Sequence, residues 1–146
     1  MIFLLKLLIC LFKKNINFAT MQKTAFIINP FSSKGNYQPL LEQLEKNIAK
    51  PLVFISDSIK GTDNFIKENW DNVEVFVAIG GDGTILAAAR MLVGNTIPLL
   101  GINLGTLGFL ADVNLADLSK TLDLLLKDQY QVENRIMLTA EVYKQG

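Results

Sequence analysis

The stretch VEVFVAIGGDGTILAAARM, residues 73–91, decides the fold prediction. Its first seven residues form an apolar run that is typical of a buried strand, and the glycines of GGDG at 80–83 interrupt this run. Residues 84–91 follow with an alanine-rich composition that favours a helix. A strand, a glycine-rich turn and a helix in this order make a βα unit, which is the building block of parallel sheets.

Similar strand and helix patterns lie on both sides of this unit. Apolar runs predict further strands at 24–30, 51–55 and 97–102. These strands show little alternation of apolar and polar residues, as expected when both faces of a sheet are covered. We therefore predict an α/β fold with an open, mostly parallel sheet and helices on both faces, truncated before a second, β-rich domain.

Three more helices are predicted between and after these strands. The first places Leu40, Leu41 and Leu44 on one face. The second is expected to start with Thr62 or Asp63 as its cap and to carry apolar residues up to position 70. In the third, Asn114 is the expected cap, and leucines at 115, 118, 122 and 125 share a face.

Composition excludes several classes of site and of protein. The chain has 146 residues, of which 50% are hydrophobic and 19% charged, so a disordered chain is not expected. It has no His, which excludes His-based catalysis and His metal sites, and its single Cys cannot form an intrachain disulfide. Basic and acidic residues number 14 each, so net charge gives no support for nucleic-acid binding.

The first twenty residues differ from the rest. They contain three lysines and no acid, so the remaining chain has 11 basic and 14 acidic residues, a net charge of −3. The apolar run at 1–12 is too short for a membrane span, and its positive residues follow rather than precede it, unlike a signal peptide. We interpret 1–20 as an apolar extension upstream of a true start at Met21 and leave it out of the fold prediction. A membrane-targeting role is the alternative.

The end of the chain also departs from the α/β pattern. Residues 128–146 contain strand-like stretches, the clearest at 137–142, and no helix follows. We interpret 21–127 as the α/β nucleotide-binding domain and 128–146 as the start of a β-rich C-terminal domain that is otherwise absent. The alternative is a terminal strand that joins the main sheet.

The loop at 80–84 has the chemistry of a phosphate site. Gly80, Gly81 and Gly83 allow positive φ angles and close approach of backbone N–H groups to an anion, and the following helix adds its N-terminal dipole. Asp82 would repel a phosphate, so we expect it to face a hydroxyl group that loses its proton, a ribose diol or a Mg²⁺ ion. Thr84 is expected at the helix start, as a cap or a phosphate contact. A plain glycine turn with Asp82 as a helix cap is the alternative.

A second glycine-rich loop, GINLGTLGFLA at 101–111, follows the next predicted strand. Asn103 and Thr106 supply hydrogen-bonding groups, and Leu107 and Phe109 supply surface that can pack on a base, whereas we expect Leu110 in the core. The loop lacks the Gly-Lys-Ser/Thr of a Walker A motif and the glycine spacing of the dinucleotide fingerprint. Two adjacent loops of this kind at the carboxyl end of a sheet indicate a nucleotide site.

The two motifs together resemble those of the NAD kinase family. GGDGT alone is shared with diacylglycerol and sphingosine kinases, but GINLGTLGFLA is typical of NAD kinases, and the resemblance covers residues 21 to about 143. It implies transfer of the γ-phosphate of ATP to the 2′-hydroxyl of the adenosine ribose of NAD, which gives NADP. Asp82 would accept the proton of that hydroxyl, and Asp82 and Gly83 would contact the ribose.

The resemblance implies further roles. Gly80, Gly81 and Thr84 would place phosphates, Leu107 and Phe109 would line the NAD pocket, and Asn103 would contribute to nucleotide binding. Mg²⁺ or another divalent ion would be held mainly by the ATP phosphates, with no metal site formed by the protein itself. We correspondingly expect a cytoplasmic enzyme that is homo-oligomeric at full length. Its partners would be NAD and ATP, and it would bind neither nucleic acid nor a membrane.

One part of the family pattern is missing. The family's second domain carries an Asn-Glu or Asn-Asp pair that binds the same ribose, and no residues of this chain match that pair. We therefore expect the chain to be the front half of an NAD kinase and to be inactive alone. The alternatives are a lipid kinase of the diacylglycerol or sphingosine type, which shares GGDGT, and an inactive nucleotide-binding remnant.

Overall fold

The structure, a computed structural model, describes residues 6–8, 24–33, 36–105, 108–111 and 113–143. Within these ranges four helices accompany the strands of one sheet. The strands are β1 (Lys6–Leu8), β2 (Thr24–Ile28), β3 (Leu52–Ile55), β4 (Val75–Gly80), β5 (Leu99–Asn103), β6 (Val113–Asn114) and β7 (Gln131–Glu133). The helices are α1 (Gln38–Asn47), α2 (Ile59–Asn69), α3 (Asp82–Met91) and α4 (Leu118–Leu126), with short 3₁₀ turns at Pro30–Ser33 and Leu115–Asp117.

The centre of the sheet is parallel, in the order β3-β2-β4-β5. The register pairs Ile28 with Ile79 and Gly80 with Asn103, so the carboxyl ends of these strands meet at one edge of the sheet. Beyond β5 two short strands share its free side. The strand β6 runs parallel to the end of β5, and β1 pairs antiparallel at Leu99 and carries β7 on its far side.

Helices cover both faces of the sheet, which confirms the predicted α/β class. On one face α1 and α4 pack on a core that includes Phe26, Val77 and Ile102. On the other face α2 and α3 pack on a core that includes Phe76 and Ala78. All residues of β2 and β4 are buried, which explains the continuous apolar runs in these segments.

The chain reverses its direction across the sheet between β2 and β4. From β2 it passes through α1 to β3 on one side, whereas from β4 it passes through α3 to β5 on the other side. Since α1 and α3 lie on opposite faces, the carboxyl ends of β2 and β4 form a topological switch point, which is where open α/β sheets have a crevice. Open α/β sheets bind their ligands at such a switch point.

Two predicted helix caps differ from those observed. The helix α2 begins at Ile59, and the hydroxyl of Ser58 caps it by accepting from the N–H of Gly61 at 2.9 Å. Thr62, an expected cap, is buried inside this helix and donates to the carbonyl of Ser58. Asn114 precedes the 3₁₀ turn that leads to α4, but its side chain makes no capping bond. The predicted apolar faces of these helices are correct. The predicted start of α2 is too late, and the predicted cap of the last helix is not formed. Several Ser, Thr and Asp residues near each start are acceptable caps, so the sequence does not single one out.

The strand predicted at 137–142 is not present. Residues 134–143 have no regular secondary structure, and large apolar side chains there, such as Leu138 and Val142, are exposed. The strand in this part of the chain is β7, which joins the sheet through β1. An apolar, β-branched segment becomes a strand only where a neighbouring strand accepts its backbone hydrogen bonds, and 137–142 has none among the described residues.

The apolar extension also contributes to the sheet, although the sequence led us to leave 1–20 out of the fold. The backbone of Lys6–Leu8 lies between β5 and β7. A strand of three residues is too short to give a periodic signal in the sequence. The translation start at Met21 stays a prediction.

Candidate functional site

Three loops converge at the crevice between β2 and β4. The loop after β2 is tied to β4, because the N–H of Asn29 donates to the carbonyl of Ile79 at 3.0 Å. The loop after β5 is tied to the same strand, because the N–H of Leu104 donates to the carbonyl of Gly80 at 3.1 Å. The GGDGT loop lies between them and leads directly into α3. Both glycine-rich motifs therefore lie at one edge of the sheet, as the sequence predicted.

Asp82 links the two motifs. It is the first residue of α3, and its carboxylate accepts hydrogen bonds from the backbone N–H of Phe109, at 2.9 Å, and of Leu110, at 3.1 Å. A carboxylate has about four acceptor positions, so about two remain for a ligand hydroxyl. The helix cap is Gly81, so the alternative in which Asp82 caps α3 is wrong. The second loop instead holds the Asp82 side chain in a fixed orientation.

Close approach explains two of the glycines. A Cβ on Gly108 would lie 2.7 Å from Cγ of Asp82, so any other residue there would displace the carboxylate. A Cβ on Gly80 would lie 2.8 Å from Cβ of Thr84, which requires a glycine where β4 passes into α3. The glycines of GGDG do not use the positive φ angles that the sequence allows, because Gly94 is the one described glycine with a positive φ. Packing, not backbone conformation, selects glycine at 80 and 108.

Gly81 and Gly83, the other two glycines of GGDG, have open space where a side chain would lie. A Cβ on Gly81 or on Gly83 would meet no atom within 4 Å. Gly81 has extended backbone angles, φ −98 and ψ −178, which other residues also adopt. The first N–H groups of a helix lack intrahelical partners and attract anions. The start of α3 is therefore accessible to a phosphate group, and bulkier residues at 81 or 83 would reduce that access.

Thr84 lies in the first turn of α3, and its hydroxyl accepts a hydrogen bond from Nδ2 of Asn29 at 2.9 Å. It therefore does not cap the helix. The other side of the Asn29 amide is also engaged, since Oδ1 accepts from the N–H of Phe31 at 3.0 Å. Asn29 was not among the predicted site residues. Its signal in the sequence is an Asn directly after a buried strand, which by itself is typical of many turns.

The second loop offers both structural and ligand-facing groups. Asn103 is buried, and its Oδ1 accepts from the N–H of Gly105 at 3.0 Å, so this side chain holds the turn after β5. Phe109 is 99% exposed, so its ring is accessible to a ligand. Leu110 was predicted in the core but is 36% exposed, and its backbone N–H donates to the Asp82 carboxylate. Thr106 and Leu107 lie outside the described residues.

Comparison with known proteins identifies the family. The family model described as the ATP-NAD kinase N-terminal domain matches residues 11–130 of this chain. The chain belongs to the ATP-NAD kinase family. The crevice with Asp82 is thus the part of the N-terminal NAD kinase domain where its two glycine-rich motifs meet.

Curated relatives support the same family. The chain is 37% identical over 131 residues to an NAD kinase of Ruminiclostridium cellulolyticum, and the match covers 86% of this chain and 46% of that protein. It is 39% identical over 109 residues to an NAD kinase of Lachnoclostridium phytofermentans, covering 75% of this chain and 38% of that protein. The chain thus spans less than half the length of these relatives.

Solved structures similar to this one include a putative diacylglycerol kinase from Bacillus anthracis. That chain is 18% identical, with a TM-score of 0.47, and the match covers 63% of this chain and 32% of the other.

Two kinds of feature are absent from the described part of this family member. It contains no group of three or more His, Cys, Asp or Glu side chains that could hold a metal ion. Within the same residues, no helix has the length and apolar character needed to cross a bilayer.

Proposed function

We propose that this chain provides the kinase domain, residues 21–127, of an NAD kinase that transfers the γ-phosphate of ATP to the 2′-hydroxyl of the adenosine ribose of NAD. The observation that carries the proposal is the position of Asp82. Its carboxylate lies at the switch point of the sheet, and the loop that is typical of the family fixes it there through two backbone N–H groups.

Asp82 is the proton acceptor in the proposed reaction. As the 2′-oxygen forms a bond to the γ-phosphorus of ATP, its proton passes to a free position of the Asp82 carboxylate. The bond from the γ-phosphorus to the bridging oxygen breaks, and ADP leaves with the electron pair of that bond. The products are NADP and ADP.

The surrounding residues contact different parts of the two substrates. Gly81 and Gly83 keep the start of α3 accessible, so that the backbone N–H groups reach phosphate oxygens, and Gly80 allows the close turn from β4 into α3 that places these groups. Thr84 adds a hydroxyl beside them. Phe109 offers an exposed ring to the NAD base, and we propose the same pocket role for Leu107. Asn103 acts by holding the turn that carries these side chains.

Mg²⁺ or another divalent ion would reach this site on the phosphates of ATP. In such an arrangement Asp82 need not hold the ion, because two acceptor positions of its carboxylate are already occupied. A bound ion would neutralise charge on the transferred phosphoryl group. We further propose that the enzyme works in the cytoplasm and as a homo-oligomer.

The test is a substrate comparison on the purified full-length protein. We expect NADP to form from NAD and ATP, measured by an NADP-specific coupled assay, and no product from diacylglycerol or sphingosine. Phosphorylation of a lipid instead of NAD would support the lipid-kinase alternative. Calorimetric binding of NAD without NADP formation would support the inactive remnant. Replacing ATP with inorganic polyphosphate in the same assay identifies the phosphoryl donor.

A further inference from the structure

We propose that Asn29 is a positioning residue that makes the Thr84 hydroxyl a hydrogen-bond donor to the phosphoryl groups of the bound nucleotide. This inference rests on the proposed phosphoryl transfer at the crevice. Its basis is the hydrogen bond of 2.9 Å between Nδ2 of Asn29 and Oγ1 of Thr84, which joins residues 55 positions apart across the switch point.

The orientation of the Asn29 amide is fixed by both of its ends. Its Oδ1 accepts from the N–H of Phe31, so its NH₂ group must face Thr84. The backbone N–H of Asn29 is bonded to the carbonyl of Ile79, which anchors the residue to β4. The amide therefore cannot turn to present its oxygen to Thr84 without losing the bond to Phe31.

This orientation determines the direction of the Thr84 proton. A hydroxyl has one proton to donate and two positions to accept, and an NH₂ group can only donate. Thr84 must accept from Asn29, so its own proton is available to another acceptor, and no described residue is bonded to it. Thr84 lies in the first turn of α3, where an anionic oxygen is the favoured acceptor.

The test is a double-mutant cycle on the full-length protein, with binding of MgATP and of inorganic tripolyphosphate measured by calorimetry. In Asn29→Asp a carboxylate oxygen faces Thr84 and takes its proton, while the bond to Phe31 is kept. In Thr84→Val the hydroxyl is lost without a change in shape. We expect each variant to weaken both phosphate ligands about 10- to 100-fold, the range for a hydrogen bond to a charged group. The affinity for adenosine, which has no phosphate, and the melting temperature should change little.

The decisive result is the double variant. If Asn29 acts through Thr84, then Asn29→Asp should weaken binding by a larger factor in the original background than in the Thr84→Val background, where only the charge repulsion of the new carboxylate remains. Thr84→Ser, which keeps the hydroxyl, should bind within about 3-fold of the original protein. Effects of the two substitutions that simply multiply, or an unchanged tripolyphosphate affinity, would overturn the inference.

The same experiment separates this inference from the proposed function. If NADP is formed and the effects of Asn29→Asp and Thr84→Val on affinity multiply, the proposed function is supported and the role of Asn29 is contradicted. If the two substitutions have coupled effects on tripolyphosphate affinity but no NADP is formed, Asn29 is supported as a positioning residue for an anion and the proposed reaction is contradicted. A protein that binds neither MgATP nor tripolyphosphate would overturn both.

Discussion

The carboxylate of Asp82 accepts a hydrogen bond from the backbone N–H of Phe109 at 2.9 Å, across 27 positions of sequence. This bond joins the loop after β4 to the loop after β5, and the parallel bond from Leu110 strengthens the link. The side chain that we propose as proton acceptor is thus held by the same loop that carries the exposed Phe109 ring. Changes in either loop should affect both the proton acceptor and the binding of NAD.

Replacing Asp82 with Asn should lower the rate of NADP formation by two or more orders of magnitude, since the amide cannot accept the hydroxyl proton. One amide oxygen remains to accept from the second loop, so the fold should persist, with a modest loss in melting temperature. The control is Asp71→Asn, at an exposed position after α2. Turnover in Asp82→Asn close to that of the control would show that Asp82 is not the base.

Two glycines of the second loop form a matched pair. In Gly108→Ala the new Cβ would lie 2.7 Å from Cγ of Asp82, whereas in Gly105→Ala the nearest atom, Oδ1 of Asn103, is 3.8 Å away. We expect Gly108→Ala to displace the carboxylate, reduce NADP formation at least 10-fold and lower the free energy of unfolding by about 1–3 kcal/mol. Gly105→Ala should affect both little. Equal activities of the two variants would contradict the close packing of Gly108 on Asp82.

Gly81→Val and Gly80→Ala should separate ligand access from packing. A side chain at 81 meets open space, so Gly81→Val should change the free energy of unfolding by no more than about 1 kcal/mol, the cost of a poorer cap, yet weaken MgATP binding. Gly80→Ala forces a Cβ to within 2.8 Å of Cβ of Thr84 and should lower stability by about 1–3 kcal/mol. Chemical unfolding and calorimetry on both variants measure the difference. Unchanged MgATP affinity in Gly81→Val would argue against a phosphate at the start of α3.

The sequence predicts the central layers of this fold because its signals there are local and repeated. Continuous apolar runs mark β2, β4 and β5, and each is buried on both faces in the structure. GGDGT and the second loop each follow a strand, so their meeting at one sheet edge follows from parallel pairing alone. The loop residues leave three candidate partners for Asp82, a hydroxyl group, a ribose diol and a Mg²⁺ ion, and the family resemblance selects the ribose hydroxyl among them.

The missed features depend on partners that are distant in sequence. The short strand β1 is defined by pairing with β5 and β7, and not by its own pattern. Conversely, 137–142 has the composition of a strand but no partner among the described residues. The bond from Asn29 to Thr84 spans 55 positions, and an Asn after a strand has many possible partners. Such contacts are set by the three-dimensional arrangement and not by composition.

Tyr130 should make the stability of the protein depend on pH in the alkaline range. Its partial burial, with the nearby carboxylates of Asp128 and Glu74 as smaller causes, raises the pKa of the phenol above the usual 10.0. The folded protein therefore favours the neutral phenol, while the unfolded chain loses this proton first as the pH rises. Its contribution to stability is present below pH 10.0 and is lost progressively between that pH and the raised pKa of the folded state.

Tyr130→Phe removes this titration, so its free energy of unfolding should fall less than that of the original protein as the pH increases beyond 10.0. Urea unfolding over a series of pH values measures the difference, and lysines and other groups that titrate in this range cancel because both proteins share them. Tyr37→Phe is the matched control, since it also removes one phenol from a half-buried position. Parallel stability curves for Tyr130→Phe and the original protein above pH 10.0 would contradict a raised pKa at this tyrosine.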